Sequence, residues 1–127
     1  MEEEQPESTP ADLWGRVFVA QEVTGTAEAE TLMNGVEFTV SFAEGSLGAY
    51  AFCNQMGADV DVVDGTLVTG PVVKTYMACE GVVMDREQWV GDLLESQPSY
   101  VLDGETLTLT SGDITVVMSE TDSSEQK

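Results

Sequence analysis

At 127 residues, with 24 acidic side chains against 4 basic ones, no histidine and a formal net charge of −20, the chain offers no basic stripe to nucleic acid or to an anionic membrane surface, and both are excluded as partners. That length holds one core and not two, and 42% hydrophobic residues in alternating patterns mark a folded domain despite the charge. The missing histidine removes Ser-His-Asp, Cys-His and His-Glu-x-x-His chemistry, and no apolar run of about 18 residues reaches across a bilayer.

Residues 1–10 are acidic with Pro, Ser and Thr and read as a disordered lead-in. They lack the basic-then-apolar order of a signal peptide, so the expected compartment is the envelope if a leader was removed and the cytoplasm otherwise. The domain is expected over residues 11–119, with a disordered polar tail over 120–127.

From residue 12 to 20 the chain turns apolar, a first strand with Trp14, Arg16 and Phe18 on one side and Val17 and Val19 on the other. Residues 24–30 lack a helical apolar stripe and read as a loop, and Asn34-Gly35 is a turn dipeptide that opens a hairpin. Val36, Phe38, Val40 and Phe42 then alternate with Glu37, Thr39, Ser41 and Ala43, the period of a half-buried strand. After a turn at Glu44-Gly45, the small residues of 46–51 return antiparallel and suggest close backbone approach. Residues 58–63 and 66–68, joined at Asp64-Gly65, make a second hairpin that Gly70-Pro71 stops.

A helix is predicted over residues 85–96: Asp85 as cap, Gln88 completing a capping box, Trp89, Val90, Leu93 and Leu94 as the apolar stripe, Pro98 at the exit. Residues 99–102, 106–110 and 114–118 follow as a meander turned at Asp103-Gly104 and at Ser111, Gly112 and Asp113. About eight short strands with regular turn signals predict a mostly β (α+β) fold. The expected form is an antiparallel up-and-down meander curled into a small, partly open barrel with one covering helix.

The motifs in order are Trp14-Gly15, Cys53-Asn54 with Gly57, Gly70-Pro71, Thr75-Tyr76-Met77-Ala78-Cys79, an acidic helix start with Glu87 and Trp89, and the strand Tyr100-Val101-Leu102-Asp103-Gly104-Glu105-Thr106-Leu107-Thr108-Leu109. This pattern resembles the META/HslJ-like domain over nearly the whole chain, with Phe52 where that family usually has glycine before its Cys-Asn. The resemblance implies a small mostly β domain found in bacterial envelope lipoproteins and secreted proteins and linked to stress responses. It implies no established catalytic activity and supplies no catalytic residues.

Cys53 and Cys79 are open to a disulfide in an oxidising compartment or to two buried thiols in a reducing one. The disulfide would contribute about 3.5 kcal/mol by chain entropy. Two cysteines without histidine make a poor zinc site. Asp59, Asp61 and Asp64 only approximate a calcium loop, since the third acid is displaced and Gly70 stands where glutamate is needed, and they read as solvent-facing acids on a strand. Asn54 and Thr75 read as polar residues satisfying backbone groups at a bend, and Lys74 as a solvated strand-end lysine rather than a counter-charge for nearby carboxylates. Trp14, Gly57, Met77 and Trp89 complete the structural motif; no catalytic, cofactor or metal residue is assigned.

Together these readings predict a monomeric, non-enzymatic structural or interaction module that takes a protein partner, with a carrier of a small apolar ligand inside the curled sheet as the alternative. The acidity reads as a solvated, salt-tolerant surface rather than a site for a cationic ligand or partner. Self-repulsion then acts over a Debye length of about 30 Å at 0.01 M salt and is screened at higher ionic strength. The melting temperature is expected to rise between low and molar NaCl in thermal scans, and a flat response would remove the repulsion argument.

Overall fold

The computed structural model describes residues 13–51, 53–75 and 79–121; the expected lead-in over 1–10, Phe52, the Tyr76-Met77-Ala78 run and residues 122–127 lie outside them. In chain order the elements are β1 (Val17–Thr24), α1 (Ala27–Met33), β2 (Thr39–Ala43), β3 (Ser46–Tyr50), β4 (Gln55–Val63), β5 (Thr66–Thr69), β6 (Val73–Lys74), α2 (Gly81–Glu95), β7 (Ser99–Asp103), β8 (Thr106–Ser111) and β9 (Ile114–Thr121). Sequence neighbours pair antiparallel, β5 passes to β7, and β1 pairs β9, so the predicted meander closes into an eight-stranded up-and-down barrel. The ninth strand, β6, is an extra that pairs with Met56 and Gly57 of β4.

Period-two alternation builds the core. Val36, Phe38, Val40 and Phe42 are all buried, while Glu37, Ser41 and Ala43 are exposed. Phe18, Phe38, Leu67, Leu94, Leu107, Leu109, Val116 and Met118 have at most a trace of exposed surface and fill the barrel with side chains, each contributing roughly 1.5–3 kcal/mol of burial. Phe18 and Phe42 meet edge-on with centroids 6.0 Å apart, a favourable aromatic geometry. Small residues also sit where the sheet needs them: Gly48 stands opposite Gly57, and a β-carbon on Gly48 would come 3.2 Å from Ser41 Oγ.

The up-and-down order sorts the connections onto two ends. At one end lie three tight two-residue turns, at Glu44-Gly45, Asp64-Gly65 and Gly104-Glu105, and the fully buried Leu13. Asp64 and Gly65 both have positive φ, 51° and 77°, as the twist of a two-residue hairpin favours. Arg16 locks this end, donating to Gly104 O and to Glu120 Oε1 at 2.8 Å each. That contact accompanies β9 as it runs to Thr121 opposite Val17, so Glu120 and Thr121 belong to the barrel rather than to the expected tail. At the other end lie all the long connections: α1, the bend through Cys53, and the excursion through β6, Cys79 and α2.

Two helix expectations need correction. Residues 27–33, placed in a loop, form α1, with Thr26 Oγ1 accepting from Ala29 N at 3.1 Å and Glu30 Oε2 accepting from Gly25 N at 3.1 Å. Its stripe is short and built on alanine: Ala29 and Met33 are buried. Asn34-Gly35 ends that helix instead of opening a hairpin, with Gly35 at φ 77°. The second helix begins at Gly81, not Asp85; Glu80 stands at the cap without a side-chain cap bond, and Met84 N donates to Glu80 O at 3.0 Å. The opening Gly-Val-Val is poor in helix propensity, so packing and the position of Cys79 just before it, rather than capping, set the start.

Closure is thinnest between β5 and β7, where the register holds a single pair, Thr66 with Ser99, flanked by Leu67 N to Pro98 O and Tyr100 N to Gly65 O, both 2.8 Å. The side chain of Gln97 carries the ladder onward. Its Oε1 accepts from Thr69 N and its Nε2 donates to Thr69 O, both at 2.8 Å, so a carboxamide stands in for a peptide unit beside β5. Gln97 adopts φ 61° to do so, a conformation that costs a non-glycine residue about 1–2 kcal/mol. Gln97→Ala keeps that strain and strips both partners from the buried Thr69. It is expected to lower unfolding free energy by about 1–3 kcal/mol in urea titrations and to speed amide exchange at Thr69. Unchanged exchange at that amide would show that the seam closes without Gln97.

Candidate functional site

The long connections at the helical end bring the two cysteine motifs together. Cys53, on the bend between β3 and β4, and Cys79, just before α2, stand at disulfide distance with Cα atoms 6.3 Å apart. The next residue, Asn54, is almost fully buried. Its Nδ2 donates to Glu87 Oε1 at 3.1 Å and its Oδ1 accepts from Thr75 Oγ1 at 2.9 Å. Thr75 Oγ1 in turn accepts from Gln55 N at 3.2 Å, and Thr75 N donates to Gln55 O at 3.1 Å. Thr75 thus satisfies backbone at the start of β4, while Asn54 reaches side chains on α2 and just after β6.

Glu87 is the centre of this network. Its side chain is fully buried on the core face of α2, one turn before Val90 and two before Leu94. Lys74 Nζ lies 3.4 Å from Glu87 Oε2, and the Lys74 side chain is 23% exposed. A carboxylate buried in a barrel mouth is costly by several kcal/mol unless both oxygens are addressed. Asn54 hydrogen-bonds one, and the ammonium of Lys74 faces the other across a distance that makes an ion pair but not a well-aligned hydrogen bond. Lys74 is therefore a counter-charge, correcting its reading as a solvated strand-end lysine. Because Lys74 and Thr75 are chain neighbours, the contacts run in a ring through β6, the Cys53 bend and α2.

Of the predicted motif residues, Cys53, Asn54, Thr75 and Cys79 converge here. Gly57 adjoins them on β4, paired with Val73 of β6. Trp14 lies in the turn at the opposite end of the barrel, half-buried against the core. Trp89 is on α2 but flanks the network, its ring edge-on to Phe38 with centroids 6.3 Å apart. Met77 lies outside the described residues. Glu87 stands in the helix-start motif of the sequence without a site role there, and the structure makes it the centre of the network; its spacing from Val90 and Leu94 places it on the apolar face, and a charged residue there signals a buried partner.

Around the network lies a small cavity of about 120 Å³ lined by Met56, Lys74, Glu87 and Gly91, well below the size of ordinary ligand pockets. Two larger concavities flank α1: one of about 600 Å³ against β1, and an open groove of about 830 Å³ against α2 with Leu32, Val82 and Trp89 in its lining. Asp59 and Asp61 point outward from β4, and among the described residues no cluster of three or more Cys, Asp or Glu side chains is placed to hold a metal ion. Among these residues, too, no helix is long and apolar enough to cross a membrane.

The chain matches the family model of the META domain over residues 11–123. Its fold is similar to that of a protein from Burkholderia xenovorans solved by NMR, with a TM-score of 0.67 and 16% identity over 95% of this chain and 94% of that one. A second NMR structure gives a TM-score of 0.65 and 21% identity over 89% of this chain and 95% of its own. The crystal structure of a duf4847 family protein from Bacteroides vulgatus gives 0.59 and 12% over 84% and 93%. At these identities the likeness is one of fold. No protein of curated function matches the chain.

The asymmetry of the Lys74–Glu87 pair yields an ordered expectation. Lys74→Met leaves a buried carboxylate without its counter-charge, whereas Glu87→Gln leaves a lysine able to turn toward water and keeps an acceptor for Asn54. Lys74→Met should cost about 3–5 kcal/mol and Glu87→Gln about 1–2 kcal/mol, with the double variant more stable than Lys74→Met alone. Urea denaturation of the three variants checks the order; equal losses would mean that the charge of Glu87 is not what Lys74 serves.

Proposed function

The chain belongs to the META domain family, and from that premise we propose that it is a non-enzymatic, envelope-associated or stress-related structural or interaction module with an acidic, salt-tolerant surface. The observation that carries this reading is the inward use of the motif residues. Asn54, Thr75, Lys74 and Glu87 direct their polar groups at one another and at the backbone of β4. Such an arrangement fixes three connections in place; a site for chemistry would aim those groups at an open cavity. In this reading Cys53 and Cys79 are bonded and act as a staple, adding about 3.5 kcal/mol across a separation of 26 residues. No cofactor enters it.

The carrier alternative has less support, because the barrel interior is occupied by fully buried side chains from Phe18 to Met118. Native mass spectrometry of gently purified protein is expected to give the mass of the bare chain, and a co-purifying apolar molecule would favour the carrier. Affinity capture with crosslinking is expected to enrich a partner over an acidic control protein of similar net charge. Capture no better than that control would overturn the interaction reading.

A further inference from the structure

The second helix carries two stripes, and the barrel uses only one. Glu87, Val90, Leu93 and Leu94 face the core. Val82, Asp85, Trp89 and Asp92, spaced three or four apart along the same helix, instead line the open groove shared with α1, with Arg86 beside them. On that stripe Val82 is 48% exposed, an apolar side chain with no packing partner in the core. The Trp89 ring is half-buried and held edge-on by Phe38, so it presents a pre-oriented aromatic surface of the kind that anchors interfaces.

The exposed charges on the rim of the groove are of one sign. Arg86, its one base, donates through Nε to Leu32 O at 3.0 Å, bridging α2 to the last turn of α1. The exposed rim carboxylates are Glu28, Asp85 and Asp92, and Asp92 is held by Gln88 Nε2 at 2.9 Å. Occupants can be ranked by charge. A second copy brings a further −20, and the chain's own terminal stretches carry Glu2, Glu3, Glu4, Glu7, Asp122 and Glu125 against a single Lys127. Anionic lipid and nucleic acid are repelled in the same way.

We propose that the groove between α1 and α2 is a docking surface for a cationic amphipathic segment of a partner protein, its apolar face seated on Leu32, Val82 and Trp89 and its Lys or Arg side chains meeting Glu28, Asp85 and Asp92. This rests on the interaction-module reading and names the chemistry of the partner. It gives local meaning to an acidity that is otherwise spread over the surface. The apolar floor supplies residence and the rim supplies steering and selectivity.

The test titrates the full chain into a labelled leucine–lysine amphipathic peptide, with a glycine–lysine peptide of equal charge and a leucine–glutamate peptide as comparisons, read by fluorescence anisotropy. The leucine–lysine peptide should bind at least about tenfold more tightly than either comparison. Val82→Glu and Asp85→Lys, both at exposed positions, should each weaken it about tenfold, while Val101→Glu and Asp61→Lys, exposed sites on the barrel wall, leave it within about twofold. Thermal melts of each variant confirm folding. Equal binding of the glycine–lysine peptide, or equal loss in Asp61→Lys, would reduce the effect to bulk charge and overturn the proposal. Self-association abolished by Val82→Glu would overturn it in favour of a second copy. If affinity capture of a partner survives Val82→Glu unchanged, the groove is wrong while the interaction module stands.

Discussion

The buried carboxylate of Glu87 is the constraint around which the helical end of the barrel is arranged. An eight-stranded barrel needs something to cover its mouth, and α2 supplies Val90, Leu93 and Leu94 for that purpose. One turn earlier the same face presents a charge. A charge at that depth is tolerated only with partners, and the partners come from two other connections: Asn54 from the bend after β3 and Lys74 from β6. Burial of a single group thereby specifies where three chain segments must meet. Buried polar groups trade some stability for a unique arrangement, and here that arrangement places Cys53 and Cys79 within bonding reach.

This explains why the motif residues cluster in sequence as they do. Cys53-Asn54 and Lys74-Thr75, with Cys79 beyond, are paired sets: one residue of each set belongs to the cysteine pair and another reaches toward the Glu87 network. The short strand β6 has only two residues and two register pairs with β4, too little to hold by itself. Thr75, bonded to Asn54 and to both backbone groups of Gln55, and Lys74, drawn to Glu87, fasten it from the side-chain direction. Gln97 plays a comparable part at the β5–β7 seam, where a side-chain amide completes a ladder that the backbone leaves short.

Much of this fold was legible in the sequence because the strands obey period two and the turns carry their own chemistry. The Val36 to Phe42 alternation, Glu44-Gly45 and Asp64-Gly65 name strands and hairpins directly, and consecutive hairpins lead to up-and-down order. What escaped were features whose signal is tertiary. The stripe of α1 is Ala29, Leu32 and Met33, easily lost among acids, and its start depends on Thr26 as a cap rather than on hydrophobicity. The start of α2 has no capping side chain, so the capping-box pattern at Asp85 and Gln88 is a false signal; Gln88 bonds Asp92 along the helix instead. For the site, Asn54 and Thr75 were visible as polar residues in motifs, but nothing local tells Asn54 that its partner is 33 residues away on the helix. Glu87 stands in the helix-start motif, but its burial is legible only as an anomaly of helical spacing.

The distribution of basic residues closes the argument about the surface. The described residues contain three, and each serves an internal lock: Arg16 joins the ends of β1 and β9 through Glu120 and Gly104 and lies 5.5 Å over the ring of Phe18, Lys74 faces Glu87, and Arg86 bonds the last turn of α1. The positive charge of the described residues is thus turned toward structure, and their carboxylates other than Glu87 and Glu120 are exposed. The closed barrel leaves few unpaired strand edges among the described residues. In the interaction reading proposed above, recognition falls to the surfaces that the long connections build, and these sit at the helical end, over the network that Glu87 holds together.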